Sequence, residues 1–295
     1  MTKFKGVFIS LLTPMTNDYK VDYNRLGEIC EWLIGKGVDG LMAAGPMGED
    51  TTLSNEERKK IVETVIEVSN GRVPIIAGTG GVTATKDAIY CAEHAKNSGA
   101  DGILVYTPAD YIPLENEIIA HYEAVSKVGL PIIALNNPRR IDLTPDLVIK
   151  ISKSSNIVGI MDFSQDIRRV HEILEKTNIE YFVGADNLAM EGALCGATGW
   201  ASAVSNALPE EGIKLFQLAK EGKRDEARRL YRSLVRLYHY DTVPQMFQAM
   251  KYMMELTGQP IGPTRPPRLA LTDDAYMTIK DEFEEVIDLI RSKNN

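Results

Sequence analysis

Eight short apolar, β-rich runs recur along the chain with amphipathic stretches between them, and this alternation restricts the folds open to it more than any other feature. The runs are GVFISLLTP at 6–14, GLMAAG at 40–45, VPIIAGT at 73–79, GILVYT at 102–107, PIIALN at 131–136, IVGIMD at 157–162, YFVGAD at 181–186 and GWASA at 199–203. The first four spacers include YNRLGEICEWLIGKG, SNEERKKIVETVIEVSNG, TKDAIYCAEHAKNSGA and EIIAHYEAVSKVG, whose apolar residues fall at helical spacing. Strand and helix alternating at roughly 20–30 residues per unit is the pattern of consecutive right-handed βαβ units, which build a parallel sheet. The runs are nearly continuous in apolar residues, as parallel strands covered on both faces require. Eight such units predict closure into an α/β fold of the (β/α)8 TIM-barrel type over residues 1–220. An open doubly wound sheet is the alternative, but no GxGxxG follows the first run, and GTGG at 78–81 is too short for a dinucleotide site.

Local signals agree with this division. Ser54 followed by Glu57 is a capping-box pattern, and Thr144-Pro145-Asp146 puts proline at the first helical position. After residue 208 the strand signal stops. Three segments, beginning at Pro209, Pro244 and Asp273, read as at least three helices, with the turn GPTRPPR at 262–268 before the last. A C-terminal helical extension over 221–295, packed on the barrel, is therefore expected. Its Met and Tyr stripe (Met246, Met250, Tyr252, Met253, Met254) reads as helix packing.

With 33 Lys+Arg against 41 Asp+Glu the net charge is −8, which argues against nucleic acid or an anionic membrane as the main partner. No window approaches the run of about 18 apolar residues that a membrane span needs, and the opening residues do not read as a signal peptide. A cytoplasmic location is expected. Three cysteines and four histidines are scattered without CxxC or HExxH, so no metal and no cofactor is expected. Cys30, Cys91 and Cys195 each lie in an apolar helical context that suits an inert thiol.

In a barrel of this kind the chemistry sits at the C-terminal strand ends. There the chain reads TP at 13–14, G-x-x-GE at 45–49 followed by T-L-S at 52–54, IIAGTG at 75–80, TP at 107–108, and NxP at 136–138 with Arg140 beyond it. Further on come IVGI-x-D at 157–162, GAD at 184–186, GATG at 196–199 and the closing GPTRPPR. Over essentially its whole length the chain resembles the dihydrodipicolinate synthase and N-acetylneuraminate lyase family of pyruvate-handling Schiff-base aldolases. The resemblance implies a small 2-oxo acid ligand and assembly as a homo-oligomer, dimer or tetramer.

The resemblance also implies a lysine at the end of the sixth strand, where a desolvated amine attacks a 2-oxo acid carbonyl. This sequence has Met161 there, and a thioether forms no imine. The family's tyrosine before NxP, a proton relay, is Leu135. The paired hydroxyls of the synthase branch are Pro46 and Met47, and its second tyrosine, after the fourth-strand TP, is Asp110. So many simultaneous changes point to natural divergence.

Candidate binding residues remain: Arg140, Gly45, Gly48, Glu49, Thr79, Asn136, Asp162, Gly184 and Ser202. In the synthase branch the residue matching Arg140 binds a substrate carboxylate, a task a guanidinium fork suits. A surface ion pair is the competing role, with Arg139 as the exposed neighbour. Glu49 suits the satisfaction of backbone N–H groups, and the glycines, Thr79, Asn136 and Pro138 suit loop shaping.

Three functions compete. The first is a divergent member that binds a small carboxylate without covalent catalysis. The second is an enzyme in which Asp110 or Asp162 is acid or base, or in which carboxylates such as Asp186 recruit a metal. The third is an ordinary lyase whose lysine falls at another register, although no obvious replacement amine is offered: Lys127, Lys150 and Lys153 fall in helices or at their ends, and Lys251 lies in the appended helices.

Overall fold

Eight parallel strands close on themselves in chain order, β1 pairing with both β2 and β8. The computed structural model describes residues 4–81, 84–154 and 156–294. The strands are β1 (Gly6–Ser10), β2 (Gly40–Ala43), β3 (Ile75–Gly78), β4 (Gly102–Tyr106), β5 (Ile132–Asn136), β6 (Ile157–Asp162), β7 (Glu180–Val183) and β8 (Gly199–Ser202). Each lies inside one of the eight apolar runs except β7, which begins one residue before its run, at Glu180. The helices between them are α1 (Tyr23–Gly35), α2 (Asn55–Ser69), α3 (Thr85–Ser98), α4 (Glu115–Ser126), α5 (Pro145–Ile151), α6 (Arg168–Lys176) and α7 (Ala189–Leu194). This is the (β/α)8 TIM barrel that the alternation predicts.

The two helix-start signals act as the sequence implies. The Glu57 N–H donates to Ser54 Oγ at 3.2 Å while Glu57 Oε2 accepts from the Ser54 N–H at 2.9 Å, the reciprocal pair of a capping box. Pro145 opens α5, and Thr144 Oγ1 accepts from the Leu147 N–H. Beyond the barrel come α8 (Pro209–Lys220), α9 (Arg224–Tyr238), α10 (Met246–Leu256) and α11 (Asp273–Asn294). The first apolar segment after residue 208 is thus two helices. Gly222, at φ 73°, makes the left-handed turn between them that a side chain would strain.

Two apolar clusters hold these layers together. The larger lies between the strands and the helices and takes in the extension, with Met250, Met253 and Met254 buried in it. The smaller fills the lumen, where Phe8 and Phe182 meet edge to face at 5.3 Å between ring centres. Their rings lie over Gly40 and Gly199, where a Cβ would come within 2.1 and 2.4 Å of ring carbons. Glycine at those positions lets two aromatic side chains enter the barrel, each burial stabilising by roughly 1.5–3 kcal/mol. The lumen is therefore a packed core, and chemistry is confined to its upper rim.

Candidate functional site

The upper rim is built from one lateral row of side chains. Tyr106 pairs with Leu135, Leu135 with Met161, and Met161 with Phe182, across β4 to β7. All four belong to the lumen cluster, and Met161 is fully buried. The position where the resemblance implies an amine thus carries a thioether packed among apolar neighbours.

No other lysine takes its place among the described residues. Lys127 and Lys153 are exposed at helix ends, and Lys150 pairs with Glu115. Lys251 of α10 is buried, but its ammonium lies 2.8 Å from Glu49 Oε1 and donates to the Pro263 carbonyl at 2.7 Å. Burial pulls its pKa down and Glu49 opposes that shift. Glu49 Oε2 also accepts from the Arg265 N–H at 2.9 Å, so this carboxylate ties the β2 loop to the extension.

The remaining sequence candidates are mostly engaged in shaping the rim. Asp162 accepts from Asn136 Nδ2 at 2.6 Å, from the Ser164 N–H and hydroxyl at 2.8 Å each, and from the Tyr181 hydroxyl at 2.5 Å. Four donors occupy its two oxygens and leave little capacity to accept from a ligand. Asn136 Oδ1 accepts from the Leu143 N–H, locking the β5–α5 loop. Thr79 Oγ1 accepts from the Tyr106 N–H, and the Ser202 hydroxyl donates to Ser205 Oγ. At Gly184 a Cβ would come within 2.8 Å of the Asp162 carbonyl, and at Gly48 within 3.1 Å of Thr13 Oγ1, whereas Gly45 has ordinary room. Asp110 is exposed on the β4–α4 loop, so Glu49, Asp110, Asp162 and Asp186 do not converge. Among the described residues, no three His, Cys, Asp or Glu side chains gather as metal ligands.

Asp186 is an anchor of another kind. It accepts from Trp200 Nε1 at 2.9 Å and from the N–H groups of Ala203 and Val204, while its own N–H donates to Asp241 Oδ2 at 2.9 Å. Burial opposes ionisation of both carboxyls. Asp186 has three donors where Asp241 has one, and the Asp241 carboxyl is pushed well above the usual carboxylate range by burial and by Asp186.

Two cavities open at this rim. One, of about 70 Å³, is lined by Pro46, Met47, Asn137, Arg139, Phe163, Gln165, Ala185, Asp241, Thr242 and Met246. The other, of about 10 Å³, is lined by Tyr106, Thr107, Leu135, Asn137, Arg140 and Ile141. A larger groove of about 490 Å³ runs between α8, α9 and α11, but no strand end contributes to it. Arg140 is exposed and makes no ion pair within 4 Å among the described residues, so the competing surface-pair role finds no partner.

Sequence reasoning missed a polar patch beside Arg140. Asp50 Oδ2, Arg58 Nε and Nη1, and the Tyr106 hydroxyl are buried without a hydrogen-bond partner within 3.5 Å among the described residues. Burial raises the pKa of Asp50, opposed by Arg58 and Arg140, and burial with the Asp50 charge raises that of Tyr106. The available signal was a tyrosine ending an otherwise apolar run.

Residues 3–286 match the dihydrodipicolinate synthetase family. The chain is 32% identical over 294 residues to a 4-hydroxy-tetrahydrodipicolinate synthase of Methanospirillum hungatei, with 96% of this chain and 98% of the relative covered. It is 34% identical over 295 residues to the same-named protein of Methanothrix thermoacetophila, covering 97% and 98%. In structure it is similar to the 4-hydroxy-tetrahydrodipicolinate synthase of Methylacidiphilum fumariolicum SolV, with a TM-score of 0.93 at 27% identity over 98% of each chain. It is also similar to dihydrodipicolinate synthase from Aquifex aeolicus, at 0.91 and 29%, covering 96% of this chain and 98% of that one. By these matches over nearly its full length, the chain belongs to the dihydrodipicolinate synthetase family.

Proposed function

We propose that this family member binds a small carboxylate of the 2-oxo acid type at the barrel mouth and does so without Schiff-base chemistry. Met161 carries the reading: it stands, fully buried, at the sixth-strand position where the family resemblance implies the imine-forming lysine. Leu135 beside it removes the phenol that would relay protons. The relatives named 4-hydroxy-tetrahydrodipicolinate synthase are the reason a 2-oxo acid is the ligand class to test first. Arg140, exposed beside the small cavity and with no ion-pair partner within 4 Å among the described residues, is the proposed carboxylate ligand, with Gly45, Gly48, Glu49, Thr79, Asn136, Asp162, Gly184 and Ser202 shaping the rim around it.

A second reading, a lyase or other enzyme working by carboxylate acid–base chemistry, is supported by Asp241. Asp241 lines the larger cavity, and burial together with Asp186 pushes its carboxyl well above the usual carboxylate range. In either reading the barrel is assigned to residues 1–220 and the extension to 221–295. A homo-oligomer fits the exposed Tyr111, Ile112 and Leu114 of the β4–α4 loop, an apolar surface that association would cover.

Incubation with pyruvate and borohydride followed by intact-mass measurement tests the central claim. The protein mass is expected to stay unchanged, because reductive trapping needs an imine. Stoichiometric addition of the reduced adduct would return the chain to the ordinary lyases.

A further inference from the structure

Two consecutive arginines serve two different cavities. Arg139 lines the 70 Å³ cavity and Arg140 the 10 Å³ one, and Asn137 borders both. Neither guanidinium makes an ion pair within 4 Å among the described residues. Arg139 is steadied by one bond, from Nη2 to the Thr242 carbonyl at 3.1 Å, which holds it over the turn that carries Asp241. Its other donors are left for a ligand.

Asp241 faces the same cavity from the turn after α9 (His239–Thr242). It is 6% exposed. Oδ2 accepts the Asp186 N–H, and Oδ1 takes no hydrogen bond among the described residues. The charged groups acting on it are Asp186, from the turn after β7, and Arg139, from the β5–α5 loop. With Asp186 held by three N–H donors, burial and Asp186 push the Asp241 carboxyl upward, which favours its protonated, donating form beside Arg139.

We infer that the mouth recognises an acid at two ends: Arg140 takes one carboxylate, and Arg139 together with the Asp241 carboxyl takes a second, so that the ligand is a small dicarboxylate. The intervening carbons would lie against Met47 and Phe163, apolar walls of the larger cavity. Arg139 and Asp241 are then specificity-determining residues. The inference rests on the small-carboxylate reading above and adds to it the second anionic end.

Calorimetric titration of the full chain with 2-oxoglutarate and with 2-oxobutanoate, which lacks the second carboxylate, separates the two claims. A charged hydrogen bond corresponds to about tenfold or more in affinity, so 2-oxoglutarate is expected to bind at least about tenfold more tightly. Arg139→Ala and Asp241→Ala are expected to abolish that preference and leave 2-oxobutanoate affinity unchanged, while Arg140→Ala weakens both acids. Asp241→Asn, close to isosteric and still a donor, is expected to keep most of the preference and covers the case in which the alanine variant does not fold. Equal affinity for the two acids, or a preference untouched by Arg139→Ala, overturns the dicarboxylate inference and leaves the carboxylate reading standing. Absence of saturable binding of either acid at millimolar concentration overturns both.

Discussion

Leu135 and Met161 are lateral partners across β5 and β6, both side chains turned into the barrel lumen. The phenol and the amine that the family resemblance implies would therefore be next-door neighbours, one shuttling protons for the imine the other forms. The two positions are coupled, and installing one of these groups alone is expected to confer little.

Met161→Lys should regain some borohydride trapping with pyruvate, since an amine desolvated at that depth has a lowered pKa and is partly neutral. Turnover of pyruvate with an aldehyde acceptor should remain about 10²–10⁴-fold below that of Met161→Lys/Leu135→Tyr, the usual worth of positioned acid–base assistance. Equal steady-state rates in the single and double variants would remove Leu135 from the argument.

The Glu49–Lys251 pair is the strongest link between the rim and the extension. Both side chains are almost fully buried, at 0% and 4% exposure. Lys251→Met strands a buried carboxylate, a change that ordinarily costs about 3–5 kcal/mol, and Arg268 at 3.3 Å from Oε2 offsets part of it. Urea unfolding should place Lys251→Met near the lower end of that range. Glu49→Gln/Lys251→Met should recover more than about 1 kcal/mol, because no unpaired charge is then left inside. A single variant as stable as the parent would mean that Arg268 alone balances Glu49.

Barrel closure and the positions of Leu135 and Met161 at the strand ends were legible because strand periodicity and short motifs fix register locally. Met161 is placed by IVGI-x-D, and once the strand is known its side chain has only two faces to choose from. Whether a polar atom is already satisfied is not local. Asp162 and Thr79 were readable as strand-end residues, but the donors that occupy Asp162 come from β5, β7 and its own loop. Glu49 was readable as an acceptor of backbone N–H, and Arg265 N supplies one; its burial against Lys251 depends on a helix some 200 positions away. Asp241 gave no signal, since its partner Asp186 lies 55 positions earlier and no motif joins them.

Asp241 also makes a prediction about pH. Its folded pKa is raised by burial and by Asp186, above an unfolded value of about 3.9. A raised carboxyl pKa contributes stability that is fully present below the unfolded value and is lost as pH climbs toward the folded one, because the native state holds the proton longer. Asp241→Asn removes that loss. Its melting temperature minus that of the parent should become more positive from about pH 4 to pH 7. A difference that stays flat across this range would show that Asp241 is ionised throughout, and the donor role at the larger cavity would go with it.

Arg140 separates a binding role from a structural one. It is exposed, has no ion-pair partner within 4 Å among the described residues, and bends over Gly81, where a Cβ would sit 3.4 Å from both terminal nitrogens. Its charge acts on Tyr106 and on Asp50, where it adds to Arg58 in opposing the upward shift that burial imposes on the carboxyl. Since Arg58 is the larger influence and Arg140 is solvated, Arg140→Ala should leave the melting temperature nearly unchanged. A charge-assisted hydrogen bond to a ligand carboxylate is worth roughly 1.5–3 kcal/mol, so the same variant should weaken 2-oxobutanoate binding by about tenfold to a hundredfold. The opposite pattern, a lowered melting temperature with unchanged affinity, would make Arg140 the counter-ion of Asp50 and leave the small cavity without its carboxylate ligand.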